Sequence, residues 1–229
     1  MKPLYLDWNL GLSDAIICNG LVRYLAQRKP GQMAREMILP CWSHNRPTVS
    51  HMFSDLPNVR ITSPENGDGP VPEPVGYEVM SIGIHYPRWG AVEPWDKAFY
   101  EFAGVPFDAK WDLFHVPESP TEIRCIFEGP FILLHDCETR GFSIDPARLP
   151  REPAIARIAQ VTEAPLLTDW RELIYKATEI HCIDSSVMHL VELLPTRPLG
   201  KLVYHKYARA ANSRNPVDAV FRKEWKIIE

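Results

Sequence analysis

Short apolar runs alternate with amphipathic segments along the first half of the chain. Apolar side chains at Ile17, Leu21 and Leu25 recur every fourth residue, as they do on one face of a helix. The predicted strands are residues 4–8, 37–42, 58–62 and 77–84, and the predicted helices are residues 14–27, 48–54 and 93–103. This alternation of strand and helix favours a parallel α/β sheet.

The same alternation starts again after a proline-containing segment, residues 104–120. Beyond it, the predicted strands are residues 130–134, 178–183 and 201–207, the predicted helices are residues 169–177, 187–194 and 216–228, and residues 155–161 fit either state. We therefore predict an α/β protein of two lobes with mostly parallel sheets, an N-terminal lobe over residues 1–115 and a C-terminal lobe over residues 116–229.

Residues 178–194 carry the clearest local signal. A short apolar strand ends in Asp184, Ser185 and Ser186, three residue types that favour the N-cap of a helix. The helix that follows is apolar on more than one face, which indicates that it is buried. A helix that starts after a strand presents unpaired backbone N–H groups and the positive end of its dipole, and both favour an anion such as a phosphate. The alternative is a capped helix that binds nothing.

Composition narrows the possible partners. The 229 residues carry a formal net charge of -4, so a large nucleic-acid surface is not expected. No apolar run approaches the roughly 18 residues of a membrane span, and the first residues lack the apolar region of a signal peptide. The five cysteines are odd in number and show no CxxC spacing. These features predict a reduced, cytoplasmic protein without a membrane span.

Two motifs resemble those of the two-Rossmann-domain (GT-B) glycosyltransferases, in particular the heptosyltransferase-like branch. The first is the turn Gly11-Leu12-Ser13-Asp14 before the first helix, where that branch carries Gly-Asp. The second is the segment 184–191, DSSVMHLV, which is similar to the D-[ST]-G-x-x-H-L-A pattern with Ser186 in place of Gly. The resemblance implies two Rossmann-like lobes in a compact GT-B-like arrangement. It also implies transfer of a sugar from a nucleotide-activated donor to an acceptor hydroxyl, with the nucleotide sugar as substrate and no separate cofactor.

Glycosyl transfer requires a base that removes the proton of the acceptor hydroxyl. Asp14, at the start of the first predicted helix, is the candidate catalytic base. The alternative is a carboxylate that only complements the helix dipole. From this position alone, the pKa of Asp14 is expected to be lowered.

The donor requires groups that stabilise the leaving diphosphate. The candidate donor-binding residues are Arg140, Asp184, Ser185, Ser186 and His189. Arg140 follows a predicted strand and could bind phosphate oxygens through two N–H groups, unless it is an ordinary surface arginine. His189 lies one helical turn after Ser185 and so on the same side of the helix, where it could contact the phosphate or ribose. The alternative for His189 is a buried, structural histidine.

The acceptor-side candidates are Ser13, His44 and Arg46. His44 and Arg46 belong to a polar loop after the second predicted strand, which could equally be a solvated loop. Metal-ligand residue types occur at His135, Asp136 and Cys137 and at His181, Cys182 and Asp184. However, His181 and Cys182 alternate in a strand and point to opposite faces. No metal is predicted.

Two other classes of function remain open. The first is a non-catalytic relative that binds a nucleotide or a sugar. The second is a different α/β enzyme, such as an epimerase or a phosphate-ester hydrolase. The lack of a GxGxxG turn in the first lobe argues against a dinucleotide-dependent oxidoreductase.

Overall fold

A computed structural model describes the chain except for residues 1, 10, 28–34, 65–74, 84–86, 88–91, 93, 138–140, 152–153, 158–165 and 211–218. The chain forms two compact units. Unit 1 comprises Met1–Glu118 with Asp218–Val220, and unit 2 comprises Ser119–Val217 with Phe221–Glu229. The predicted α/β class with two parallel-stranded lobes is confirmed. The contiguous part of unit 1 ends at residue 118, whereas the boundary predicted from the sequence follows residue 115.

Unit 1 contains a parallel sheet of four strands in the order β3-β2-β1-β4. These strands are β1 (Leu4–Asp7), β2 (Met37–Pro40), β3 (Val59–Thr62) and β4 (Glu78–Ser81). The helices are α1 (Leu12–Ile17), α2 (Asn19–Ala26), α3 (Arg46–Met52), α4 (Trp95–Ala103) and α5 (Ala109–Asp112), with a short 3-10 helix at Ser43–Asn45. All four residues of β2 are buried, as in a parallel strand covered on both faces.

The predicted helix 14–27 begins earlier and is divided into α1 and α2 at Cys18. The N–H of Cys18 still donates to the carbonyl of Asp14 at 2.8 Å, and the N–H of Val22 donates to the carbonyl of Cys18 at 2.9 Å. Because these i to i−4 hydrogen bonds continue through the division, it is a local change of backbone conformation within one helical path.

Unit 2 contains a parallel sheet of five strands in the order β6-β5-β7-β8-β9. These strands are β5 (Phe131–His135), β6 (Ala154–Arg157), β7 (Glu179–Cys182), β8 (Lys201–His205) and β9 (Trp225–Ile228). The helices are α6 (Arg171–Lys176), α7 (Ser186–Leu193) and α8 (Tyr207–Ala210), with 3-10 helices at Pro146–Arg148 and Leu167–Trp170.

The predicted C-terminal helix, residues 216–228, is wrong. Residues 216–218 lie outside the described part of the chain, and Trp225–Ile228 form β9, which pairs in parallel with β8. The edge of β8 therefore gains a partner for its backbone groups, and Trp225, Ile227 and Ile228 are residue types that favour strands. The side chain of Trp225 also fixes the position of this strand, because its indole N–H donates to the Glu192 carboxylate at 2.9 Å.

In each sheet, the direction in which the chain adds successive strands reverses at one point. In unit 1 the chain proceeds outward from β1 through β2 to β3 and then places β4 on the other side of β1. In unit 2 it proceeds from β5 to β6 and then places β7 on the other side of β5. In open parallel sheets, ligands bind outside the carboxyl ends of the strands at such a switch point. The two positions to inspect are therefore the ends of β1 and β4 and the ends of β5 and β7.

Among the described helices, none has the length and apolar character that crossing a membrane requires.

Candidate functional site

The start of α7 lies at the switch point of the second sheet. The N–H of Ile183, directly after β7, donates to the carbonyl of His135 at the end of β5 at 3.2 Å. Ser185 has an extended backbone with φ -166° and ψ 170°, and its Oγ accepts from the N–H of Met188 at 3.4 Å. Ser185 is thus the N-cap of a helix that is buried from Val187 to Glu192. The predicted start of a helix after Asp184 and Ser185 is confirmed, while the role of Asp184, Ser185 and Ser186 in donor binding stays a prediction.

Ser186 takes the motif position where the resembling family has glycine. It is the first residue of α7. Among the described non-glycine residues, the positive φ is that of Leu199, with 63°, so the φ of Ser186 is negative. A serine therefore fits this turn without backbone strain, because the left-handed region that favours glycine is not required.

Arg209, which was not predicted from the sequence, places a cation beside the start of α7. Nη1 of Arg209, on α8, donates to the carbonyl oxygen of Asp184 at 2.6 Å and lies 3.5 Å from Oδ2 of the same residue. Burial raises the pKa of Asp184, and the nearby Arg209 opposes that rise. A carboxyl group that is more easily neutralised repels a bound anion less. The available signal was the position of Arg209 shortly after the end of a strand, at the ligand-binding edge of the sheet.

The other donor-side candidates remain predictions. Arg140 lies outside the described residues. His189 is on α7 with 1% of its surface exposed, so its ring is in the interior of the unit. A ligand at the start of α7 would contact His189 only if it reached between buried side chains.

The end of β5 has a structural function. Oδ2 of Asp136 accepts from the N–H of Ile144 at 3.3 Å, and Cys137 and Phe142 form an isolated antiparallel bridge. Asp136 therefore helps to close the loop that begins there. Within the described ranges, no three His, Cys, Asp or Glu side chains are grouped so that they could hold a metal ion.

Asp14 lies at the switch point of the first sheet, in the first turn of α1. Its pKa is raised to about 6, chiefly because burial disfavours the charged carboxylate, while a hydrogen bond from Nδ2 of Asn9 at 3.4 Å has the opposite effect. The expectation of a lowered pKa was wrong, because burial outweighs the helix dipole and the backbone N–H groups.

Glycines make room for the side chains around Asp14. A Cβ on Gly11 would lie 2.5 Å from Oδ2 of Asp14, and a Cβ on Gly83 would lie 2.6 Å from Oδ1 of Asn9. Both distances are shorter than the contacts that Cβ atoms make in protein structures. Gly11 is therefore needed so that the Asp14 carboxylate can fold back over the start of α1.

A second carboxylate lies at the same edge of the first sheet. Asp7 and Ser81 are paired residues at the ends of β1 and β4, and Oγ of Ser81 donates to Oδ2 of Asp7 at 2.7 Å. Asp7, Asn9 and Ser81 were not among the residues predicted from the sequence. Their shared signal is a position at or just after the last residue of a strand beside the switch point.

The acceptor-side candidates also lie near the carboxyl ends of strands in unit 1. Ser13 is half-buried in α1, His44 is exposed in the 3-10 helix that follows β2, and Arg46 is exposed at the first position of α3. Oγ of Ser43 donates to the carbonyl of Pro64 at 3.2 Å, which ties this 3-10 helix to the segment after β3. A role of Ser13, His44 and Arg46 in acceptor binding stays a prediction.

Comparison with known proteins adds no relative to this description. No family model, no curated protein and no solved structure matches the chain.

Proposed function

We propose that the protein is a glycosyltransferase that moves a sugar from a nucleotide-activated donor to an acceptor hydroxyl. The observation that carries the proposal is the start of α7: a serine-capped helix at the switch point of a parallel sheet, with Arg209 beside it. Helix N–H groups and a guanidinium at such a position suit a diphosphate.

The donor diphosphate binds in unit 2 in this proposal. The N–H groups in the first turn of α7 and the hydroxyl groups of Ser185 and Ser186 hold its oxygens. Arg209 turns from the carbonyl of Asp184 to pair with the diphosphate and stabilises the charge that develops as the bond to the sugar breaks.

Asp14, in unit 1, acts as the general base. At neutral pH, a carboxyl group with a pKa of about 6 is mostly ionised, yet it is a stronger base than an ordinary aspartate. It takes the proton of the acceptor hydroxyl while the hydroxyl oxygen bonds to the anomeric carbon and the diphosphate departs with the electron pair of the broken bond. Ser13, His44 and Arg46 would contact the acceptor.

The first experiment measures binding. Thermal unfolding is recorded with ADP, GDP, UDP and CDP, because a ligand that binds only the native state raises its stability. At least one should raise the melting temperature, and calorimetry should show that Arg209→Gln weakens its binding about 10-fold or more. Lys176→Gln is the matched control. Lys176 also forms an ion pair in unit 2, with Glu172 on the surface of α6, and its loss should leave the affinity unchanged.

The second experiment measures turnover as release of nucleoside diphosphate from a panel of nucleotide sugars, with and without a mixture of free saccharides as acceptors. Release that requires both the acceptor and Asp14 supports the transferase. Binding without release under any combination would instead indicate the non-catalytic nucleotide- or sugar-binding protein. If none of these nucleotides binds, the proposal is wrong.

A further inference from the structure

Unit 2 contains a buried row of hydrogen-bonded side chains on β7 and β8. Nδ1 of His181 lies 2.8 Å from Nε2 of His205, and Nε2 of His181 lies 3.1 Å from Oε2 of Glu179. Oε1 of Glu179 in turn accepts from Nζ of Lys201 at 2.5 Å. Both imidazole rings are buried, and His205 has no exposed surface. We call Glu179, His181 and His205 the histidine row.

The histidine row follows one face of the second sheet from its amino edge to its carboxyl edge. Glu179 is the first residue of β7, and His205 is the last residue of β8. In the register of the sheet, His181 pairs with Leu134 of β5, and paired residues of parallel strands point to the same face. Leu134 packs there with Phe142 and Ile144, so His181 lies on the face of the sheet that the loop after β5 covers.

Glu179 determines which nitrogens carry protons. Burial opposes its ionisation, but hydrogen bonds from Lys201 and His181 outweigh that effect and lower its pKa. An ionised carboxylate only accepts, so Nε2 of His181 must carry the proton that Glu179 receives. Burial lowers the pKa of both histidines, that of His205 to about 4, so both rings are neutral near pH 7.

The consequence reaches the far end of the row. In a neutral His181 that is protonated on Nε2, Nδ1 is an acceptor, and Nε2 of His205 must donate to it. Nδ1 of His205 is then a bare acceptor. It has no hydrogen-bond partner among the described residues. Buried acceptors without a donor are uncommon and unfavourable, so this atom points to a missing O–H or N–H group.

Tyr207 lies beside His205 at the carboxyl end of the row. The ring of Tyr207 lies edge-on to His205 with the centroids 5.7 Å apart, and the guanidinium of Arg148 lies 4.3 Å from the centroid of the Tyr207 ring. Tyr207 begins α8, a helix of four residues that also bears Arg209. The Tyr207 hydroxyl accepts from the N–H of Asp145 at 2.9 Å, so a ligand that approaches His205 from this side has to displace the Tyr207 side chain.

We propose that Nδ1 of His205 accepts a hydrogen bond from a hydroxyl group of the ligand, and that Glu179, acting through His181, keeps this nitrogen unprotonated. The inference rests on the proposed function for the class of ligand, because a nucleotide sugar carries hydroxyl groups on both its ribose and its sugar. Glu179 and His181 are positioning residues, and His205 contacts the ligand.

Nuclear magnetic resonance of the isotope-labelled histidine nitrogens tests the tautomers first. In the free protein, His181 and His205 should both carry the proton on Nε2. Glu179→Gln should relax this arrangement, because an amide can donate as well as accept, and a fraction of His205 should then be protonated on Nδ1. A wild-type His205 that is protonated on Nδ1 would overturn the proposal.

Ligand binding is tested with ADP, GDP, UDP and CDP, with the dideoxyribose form of any that binds, and with free glucose, galactose and mannose. A hydroxyl-bearing probe should shift the Nδ1 signal of His205 and leave that of His51, in unit 1, unchanged. If the contact is made by the ribose, removal of its hydroxyl groups should weaken binding about 10-fold in the wild type and much less in His205→Phe.

The outcomes separate the two proposals. Nucleotide binding without a shift at His205 would overturn this inference and leave the proposed function standing. A shift caused by free sugars alone, with no nucleotide binding, would support His205 as a hydroxyl acceptor and overturn the proposed donor. No shift with any probe, or a signal that a buried water alone accounts for, would overturn the inference.

Discussion

Nζ of Lys110 lies 2.6 Å from Oδ2 of Asp96, and neither side chain has any exposed surface. The pair also holds a backbone segment, because Lys110 donates to the carbonyl of Val220 at 2.9 Å and the N–H of Val220 donates to Asp96 at 3.1 Å. A buried ion pair adds little relative to apolar side chains of the same shape, but the loss of one partner leaves an uncompensated charge.

Lys110→Met should therefore destabilise the protein by about 3–5 kcal/mol, whereas the double variant Lys110→Met, Asp96→Leu should recover part of that loss. Urea unfolding at pH 7 measures both. Lys176→Met, which breaks an exposed pair on α6, is the control and should leave the midpoint almost unchanged. A double variant that is less stable than the single one would refute this account.

Asp14→Asn should reduce turnover by about 10²–10⁴-fold, because it removes the proton acceptor while the shape of the side chain is kept. Donor affinity, measured by calorimetry, should stay near that of the wild type. The turnover of the wild type should rise with pH through about 6, as Asp14 ionises. Near wild-type turnover would remove Asp14 from the mechanism, and an equal loss of donor binding would indicate a structural role.

The same substitution should raise stability at high pH. The folded pKa of Asp14 is about 6 and its ordinary value is 3.8, so the stabilisation that the neutral carboxyl group gives is lost as pH rises through 6. Asp14→Asn should gain about 1–2 kcal/mol at pH 8, less than the full shift because the side chain is partly solvated, and almost nothing at pH 3.5. Equal effects at both pH values would contradict the raised pKa.

Ser186→Pro should weaken nucleotide binding more than folding. It removes one N–H group from the first turn of α7, where proline is well tolerated, and the extended backbone of Ser185 suits a residue before proline. Calorimetry with the best nucleoside diphosphate and thermal unfolding measure the two effects. Ser185→Ala, which removes the cap but keeps the N–H groups, is the matched variant, and it should cost about 1 kcal/mol of stability.

Acid should destabilise unit 2 through the histidine row. The folded pKa of His205 is about 4, below its ordinary value of 6.5, so its contribution is complete above pH 6.5 and is lost as pH falls toward 4. The free energy of unfolding should fall by about 1.4 kcal/mol per pH unit for this histidine across that range. In His205→Phe the slope should be smaller by that amount. An unchanged slope would mean that His205 titrates normally.

Glu192→Ala should destabilise the end of the chain. The Glu192 carboxylate accepts from the N–H groups of Arg222 at 2.7 Å and Lys223 at 3.4 Å and from the indole of Trp225 at 2.9 Å. Loss of these acceptors should cost about 3 kcal/mol, and Glu192→Gln, which keeps one acceptor oxygen, should cost about 1 kcal/mol. Urea unfolding followed by tryptophan fluorescence measures both, and equal losses would argue against the hydrogen bonds as the cause.

Strands that are buried on both faces could be predicted from the sequence, since β2 and β5 are short apolar runs between turns. β7 was predicted from the apolar residues Ile180, Cys182 and Ile183, although it also carries Glu179 and His181. β9 could not be predicted. Its four residues lie within a longer segment whose apolar side chains also match a helical period, and the free edge of β8 that recruits them exists only in the folded unit. The single turn α5 was not predicted either. It lies between Pro106 and Pro117, and it packs against α2, a contact that exists only in the folded unit.

In the candidate site, too, local features could be predicted from the sequence and long-range contacts could not. The Ser185 cap was predictable because a cap depends on adjacent residues. Arg209 was not, because its contact with Asp184 spans 25 positions and depends on α8 lying beside the end of β7. The pKa of Asp14 was mispredicted because the helix dipole can be inferred from position, whereas burial depends on side chains contributed by the whole unit.

Val220 makes unit 1 discontinuous in the chain. Its peptide groups complete the hydrogen bonds of Lys110 and Asp96, yet nearly half of the sequence, including all of β5 to β8, is synthesised between Asp112 and Val220. On the ribosome, the strands of unit 1 therefore emerge long before Val220, and the hydrogen bonds around the interior ion pair are complete only after residue 220 has been synthesised. A gene fragment that ends after residue 118 would encode the four strands of this unit. It would lack the N–H and carbonyl groups of Val220, which are hydrogen-bond partners of the buried Asp96 and Lys110.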